Sequence, residues 1–81
     1  MDDIFLNGNF IAKSEASISI MDRGFLFGDG VYEVVLVLNK KLVDFEGHYN
    51  RLRRSLKEIS LDTNLSEVFI KQISNRLIRF N

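Results

Sequence analysis

The chain has no cysteine and only one histidine in 81 residues. A disulfide framework and a thiolate metal site are therefore excluded, and the sequence fits a reducing compartment. Beyond that histidine a metal site would need carboxylates alone, so no metal is expected. There is also no excess of either charge, because 11 basic side chains balance 11 acidic ones. Phosphate-backbone binders normally carry a clear cationic excess, so nucleic acid is not an expected partner. Long apolar runs are missing too. The longest, Val34 to Leu38, is far too short to cross a bilayer. The start, Met1-Asp2-Asp3, lacks the basic-then-apolar layout of a signal peptide. Membrane association is not expected, and the expected location is cytoplasmic.

What is present describes a folding chain: 46% of the residues are apolar and 27% charged, well outside the composition of disordered segments. No repeat, linker or low-complexity tract divides it, so residues 1–81 are read as a single domain. Its core must be thin, because a chain this short buries only roughly two thirds of the surface it exposes when unfolded.

Asn7-Gly8 sits between the apolar runs 4–6 and 10–12 and predicts a hairpin with both turn residues at positive φ. The alternation over 16–20 predicts a third short strand. Residues 21–30 break all periodicity with Gly24, Gly28 and Gly30, the mark of a loop needing unusual dihedrals or a close neighbour. Val31 to Leu38 gives the strongest strand signal. It places Tyr32, Val34, Leu36 and Leu38 on one face and Val31, Glu33, Val35 and Val37 on the other. Asn39-Lys40 turns into a shorter strand over 41–44. A helical period follows: Phe45, Tyr49, Leu52, Leu56 and Ile59 share one arc, with Asp44 as N-cap and Glu46 in the first turn. A second helix starts from Ser66 and lines Phe69, Ile70, Ile73, Leu77 and Phe80 along one side. The expected fold is thus α+β, an antiparallel sheet of about five strands with two helices packed to one side.

Two short helices form one layer, yet the main strand is apolar on both faces. The uncovered face would exceed what a monomer usually exposes. Association is therefore expected, as a homodimer or higher oligomer or with a separate lobe.

Within 22–33, Asp22 and Arg23 are placed to pin the loop, and Phe25 and Phe27 to anchor it in a core beside Tyr49. Glu33 reads as the partner of a nearby cation or backbone group and not as an acid catalyst. In the helix, Arg51, Arg53 and Arg54 all flank the apolar arc, and geometry alone does not choose among them. A solvated or ion-paired role is the common fate of such arginines. Arg54 and Glu58, four apart, read as a surface pair. Arg53, Arg54 and Lys57 form a cationic stripe, but Glu46, Glu58 and zero net charge favour a solvated face over a site for an anionic partner. His48 alone could be a base, a ligand or a bystander.

The run Asp22-Arg23-Gly24-Phe25-Leu26-Phe27-Gly28-Asp29-Gly30-Val31-Tyr32-Glu33 resembles the signature of the class IV (fold type IV) pyridoxal-phosphate aminotransferases, most of all the D-amino acid aminotransferases. The likeness extends to the Leu6-Asn7-Gly8 hairpin and to His48-Tyr49-Asn50-Arg51-Leu52-x-x-Ser55. Branched-chain aminotransferases and aminodeoxychorismate lyases share the fold, but their versions of the loop depart further. The resemblance implies that Arg51 binds the phosphate of pyridoxal phosphate, that Tyr32 lines the substrate pocket, and that Val34 and His48 lie near it. It also implies that the lysine joining the cofactor and the acid against its ring nitrogen come from a second, larger domain. None of Lys13, Lys40, Lys41, Lys57 and Lys71 matches that lysine. The expectation is an N-terminal lobe, truncated and not catalytic alone, with pyridoxal phosphate not held covalently by this chain. The competing reading is a non-catalytic remnant that self-associates.

Overall fold

The computed structural model describes residues 3–61 and 64–81, and the acidic start at 1–2 lies outside them. Strands β1 (Asp3–Leu6) and β2 (Asn9–Ala12) pair antiparallel, with Phe5 opposite Phe10. Asn7 (φ 50°) and Gly8 (φ 86°) both lie at positive φ, as a two-residue turn between right-twisted strands demands. The Phe5 and Phe10 rings meet edge to face at 4.8 Å.

The expected third strand over 16–20 is not formed. Lys13–Glu15 makes a turn of 3-10 helix instead, and Ile18 and Ile20 stay exposed. Alternation specifies a face, but a strand also needs a neighbour's peptide groups, and none is offered among the described residues.

The glycine-rich loop holds a short helix, α1 (Arg23–Phe27). The Asp22 carboxylate accepts from the Gly24 N–H at 2.8 Å, and Gly28 closes the turn in the left-handed region (φ 70°). Arg23 pairs with Asp29 at 2.7 Å, so both polar residues do pin the loop. Phe25 and Phe27, however, are 70% and 68% exposed and anchor no core. Every residue of this short helix is exposed.

The long strand expected over 31–38 pairs only at its end. Here β3 (Val37–Leu38) meets β4 (Lys41–Leu42) through a tight turn in which Asn39 and Lys40 both have positive φ. One further bond runs from the Val43 N–H to the Leu36 carbonyl at 2.9 Å. Among the described residues the strands form two separate two-stranded antiparallel sheets and not the expected single sheet of about five. The class, α+β, stands.

Helix α2 (Phe45–Glu58) buries Phe45 and Tyr49 and half-buries Leu52 and Leu56. Ile59 falls just past its end and is largely open. Each large apolar side chain buried in this way contributes roughly 1.5–3 kcal/mol over leaving it in water. The Tyr49 hydroxyl donates to the Leu65 carbonyl at 2.9 Å, tying α2 to the connection that follows. Asp44 holds the cap position in the left-handed region without making the side-chain cap bond expected of it. Helix α3 (Glu67–Phe80) does begin as expected, with Ser66 Oγ accepting from the Phe69 N–H at 3.0 Å. Ile70, Ile73 and Leu77 are half-buried, while Phe69 and Phe80 remain largely open. At its far end the Asn81 carboxamide accepts from the Asp3 N–H (2.8 Å) and donates to the Asp3 carbonyl (3.0 Å), fastening α3 to β1. Among the described residues no ion pair joins Arg54 to Glu58.

The accessible surface is 6838 Å². A compact monomer of 9.4 kDa would show about 5,000 Å². The excess is larger than the roughly 800 Å² that one partner contributes to a stable protein interface. Ile20, Met21, Phe25, Phe27, Tyr32 and Val34 supply much of it. No helix among the described residues is long and apolar enough to cross a membrane.

Candidate functional site

Apart from the Leu36 carbonyl, the stretch from Val31 to Leu36 has no ladder partner among the described residues, yet its exposure alternates: Val31, Glu33 and Val35 are half-buried and Tyr32, Val34 and Leu36 exposed. Successive side chains of extended backbone leave on opposite sides, so Glu33 turns inward. In α2, His48 and Arg51 are three residues apart and share a helix face. The chain brings these three side chains together.

Glu33 is the centre. Its Oε2 accepts from Arg51 Nε at 2.7 Å, and its Oε1 accepts from Arg51 Nη2 at 2.8 Å and from His48 Nδ1 at 2.7 Å. The fork on Arg51 is the two-point geometry in which guanidinium and carboxylate match best. The Glu33 side chain is only 12% exposed, against 21% for His48 and 56% for Arg51. The Arg51 hydrogen bonds, followed by that from His48, hold the Glu33 carboxyl well below its usual 4.5, at about 2, although burial pushes the other way. Glu33 in turn raises the already high pKa of Arg51. Since a carboxylate only accepts, His48 must carry its proton on Nδ1. The 3.5 Å approach of Arg51 Nη2 to that nitrogen is then between two donors and binds nothing. Arg51 Nη1 makes no hydrogen bond among the described residues.

Two features of the structure, one beside this cluster and one away from it, are not visible as sequence patterns. Asp44 folds its carboxylate back over Gly47, where an added Cβ would come within 2.5 Å of Oδ2. The helix start is thereby shaped by a glycine, and Asp44 adds a second negative charge near Arg51. Arg76 lies over the Phe10 ring at 4.2 Å and near the Phe80 ring at 5.8 Å, a cation–π contact of structural character. Spacing alone does not bring a residue of α3 to one of β2.

The other residues singled out from sequence stand apart from the cluster. Tyr32 and Val34 are 86% and 74% exposed, on the side opposite Glu33. A hollow of about 540 Å³ between α2 and the start of α3 is lined by Tyr49, Leu52, Arg53, Leu56, Leu65 and Ile70, among others, and involves neither Arg51 nor Tyr32. Arg53 donates to the Tyr49 hydroxyl at 3.3 Å there. All five lysines are exposed. Chemically, the cluster offers one fixed guanidinium with an unengaged edge, which suits an oxyanion, and a carboxylate too acidic to serve as a proton donor at neutral pH.

No protein-family model matches the chain. D-alanine aminotransferase of Staphylococcus aureus (strain N315) is 47% identical over all 81 residues, which span 29% of that protein. The D-alanine aminotransferase of Staphylococcus epidermidis (strain ATCC 12228) is 37% identical over the same 81 residues, again 29% of its length. That of Bacillus licheniformis is 38% identical over 78 residues, 96% of this chain and 28% of the relative. The chain that builds the Glu33–Arg51–His48 cluster is thus similar from end to end to the N-terminal part of D-alanine aminotransferases, and it spans about 29% of their length.

Proposed function

We propose that these residues form the phosphate-gripping lobe of a class IV aminotransferase acting on D-amino acids, with pyridoxal phosphate as cofactor. The observation that carries this reading is Arg51, held by Glu33 on one edge and unengaged at Nη1, in a chain similar throughout to D-alanine aminotransferases. The donor set fits the group. A fixed, permanently charged guanidinium suits a phosphate dianion, and its more than half-exposed position leaves room for one. When bound, the cofactor supplies the electron sink through which an amino group passes between an amino acid and a 2-oxo acid.

This chain's share of that work is binding and orientation. Arg51 anchors the phosphate, and His48 stands beside it with Nδ1 committed to Glu33. Tyr32 and Val34 line the substrate side once further polypeptide closes over their exposed face. On this reading the lysine comes from that further polypeptide, because none of the five lysines here matches the position the family uses.

The grip is tested by comparing binding of pyridoxal phosphate and of pyridoxal, which lacks the phosphate. The wild-type chain should prefer the phosphorylated form, and Arg51→Gln should abolish the preference. Equal preference in both chains overturns the assignment.

A further inference from the structure

A guanidinium can meet an anion along either of two edges, one made by Nε and one Nη, the other by the two outer Nη groups. In this chain the choice is already made. Glu33 occupies Nε and Nη2 at 2.7 and 2.8 Å. Only Nη1 and the second hydrogen of Nη2 remain for a ligand.

We propose that Glu33 is a positioning residue: its carboxylate fixes the torsions of Arg51 so that the outer Nη edge is presented to the incoming phosphate. The proposal rests on the reading of Arg51 as the phosphate anchor and adds how that anchor is aimed. Glu33 is itself steadied from a third side by His48 Nδ1 at 2.7 Å, and its side chain is largely buried. It is a fixed base for a flexible arm. An arginine left to rotate would have to lose that freedom on binding, which weakens affinity.

Charge works in the opposite direction. A carboxylate beside Arg51 repels phosphate, so removing it should tighten binding if electrostatics dominated. Arg51 is more than half exposed, where water screens a repulsion of this kind to a small value. Orientation therefore prevails.

The test is a titration of the full chain with inorganic phosphate, followed by nuclear magnetic resonance of the arginine side-chain nitrogens. Wild type, Arg51→Gln, Glu33→Gln and Glu33→Asp are compared, each first shown to be folded at the working temperature. Glutamine offers an acceptor to one Arg51 N–H and a donor to the other, so the fork cannot form. Aspartate keeps the charge but is one carbon shorter.

In wild type, phosphate should shift the Nη signals of Arg51 while its Nε–H stays slow to exchange. Both Glu33 variants should lose the slow Nε–H and bind phosphate about tenfold more weakly, the order expected for one unheld long side chain. If Glu33→Gln binds as tightly as wild type or more tightly, while Arg51→Gln loses binding, the positioning role is overturned and the anchor stands. If Glu33→Asp alone retains wild-type affinity, charge and not placement is what Glu33 supplies, and the proposal fails. If wild type and Arg51→Gln bind phosphate alike, the anchor itself fails and takes the positioning role with it.

Discussion

Glu33 owes its acidity to its neighbours. The Arg51 fork and the His48 bond favour the ionised form, and the carboxyl is held at about 2 against a usual 4.5. A depressed native pKa means that the unfolded chain binds protons more readily than the folded one through this range. The group's contribution to stability is therefore complete above about 4.5 and is lost as the pH falls through about 2. Denaturant titrations of wild type and Glu33→Gln should show a constant stability gap above that window and a closing gap within it. A gap that persists undiminished to the acid end would mean that the carboxylate's charge is not what stabilises the cluster. The cluster was only partly legible beforehand. Parity along 31–38 and the three-residue step from His48 to Arg51 put the right side chains on converging faces, and Glu33 reads as the partner of a nearby cation or backbone group. Which of Arg51, Arg53 and Arg54 it would take was not fixed by helix geometry. The choice depends on how a partnerless extended segment crosses α2, which no local pattern encodes.

At the scale of elements, signals that close within a few residues came through. Asn7-Gly8 supplies both positive φ angles of its turn, and Ser66 caps α3 with its own hydroxyl. Replacing Ser66 by alanine removes that cap and should lower stability by about 1 kcal/mol, measured by reversible denaturation. No change would show that the helix start is held by other contacts. Signals that need a distant partner did not come through in the same way. The alternation at 16–20 and the strand pattern over 31–35 both describe strand faces, yet neither segment finds a ladder among the described residues. Phe25 and Phe27 carry the composition of core residues and lie exposed for the same reason. Asp44 shows the reverse case, a correct position with a different local geometry, because its carboxylate folds over Gly47.

For the whole molecule, the surface decides the matter. The radius of gyration is 13.7 Å, where a compact chain of this length would measure about 12 Å, and the accessible area runs well above that of a finished globule. Ile18, Ile20, Met21, Phe25, Phe27, Tyr32, Val34 and Leu36 are all exposed within one stretch of the sequence, and exposed apolar side chains in such number mark a surface that binds something. The chain spans 29% of the length of its relatives. On the function proposed above, further polypeptide covering this region would also carry the lysine that transamination needs. The measurement that tests this most directly is transamination between D-alanine and 2-oxoglutarate with added pyridoxal phosphate. It is run with the 81-residue chain alone and with the chain combined with a lysine-bearing polypeptide corresponding to the rest of a relative. The chain alone should give no turnover, and the complex should give turnover that Arg51→Gln removes again. Turnover by the 81 residues unaided, or a stable complex that Arg51→Gln leaves fully active, would contradict that reading.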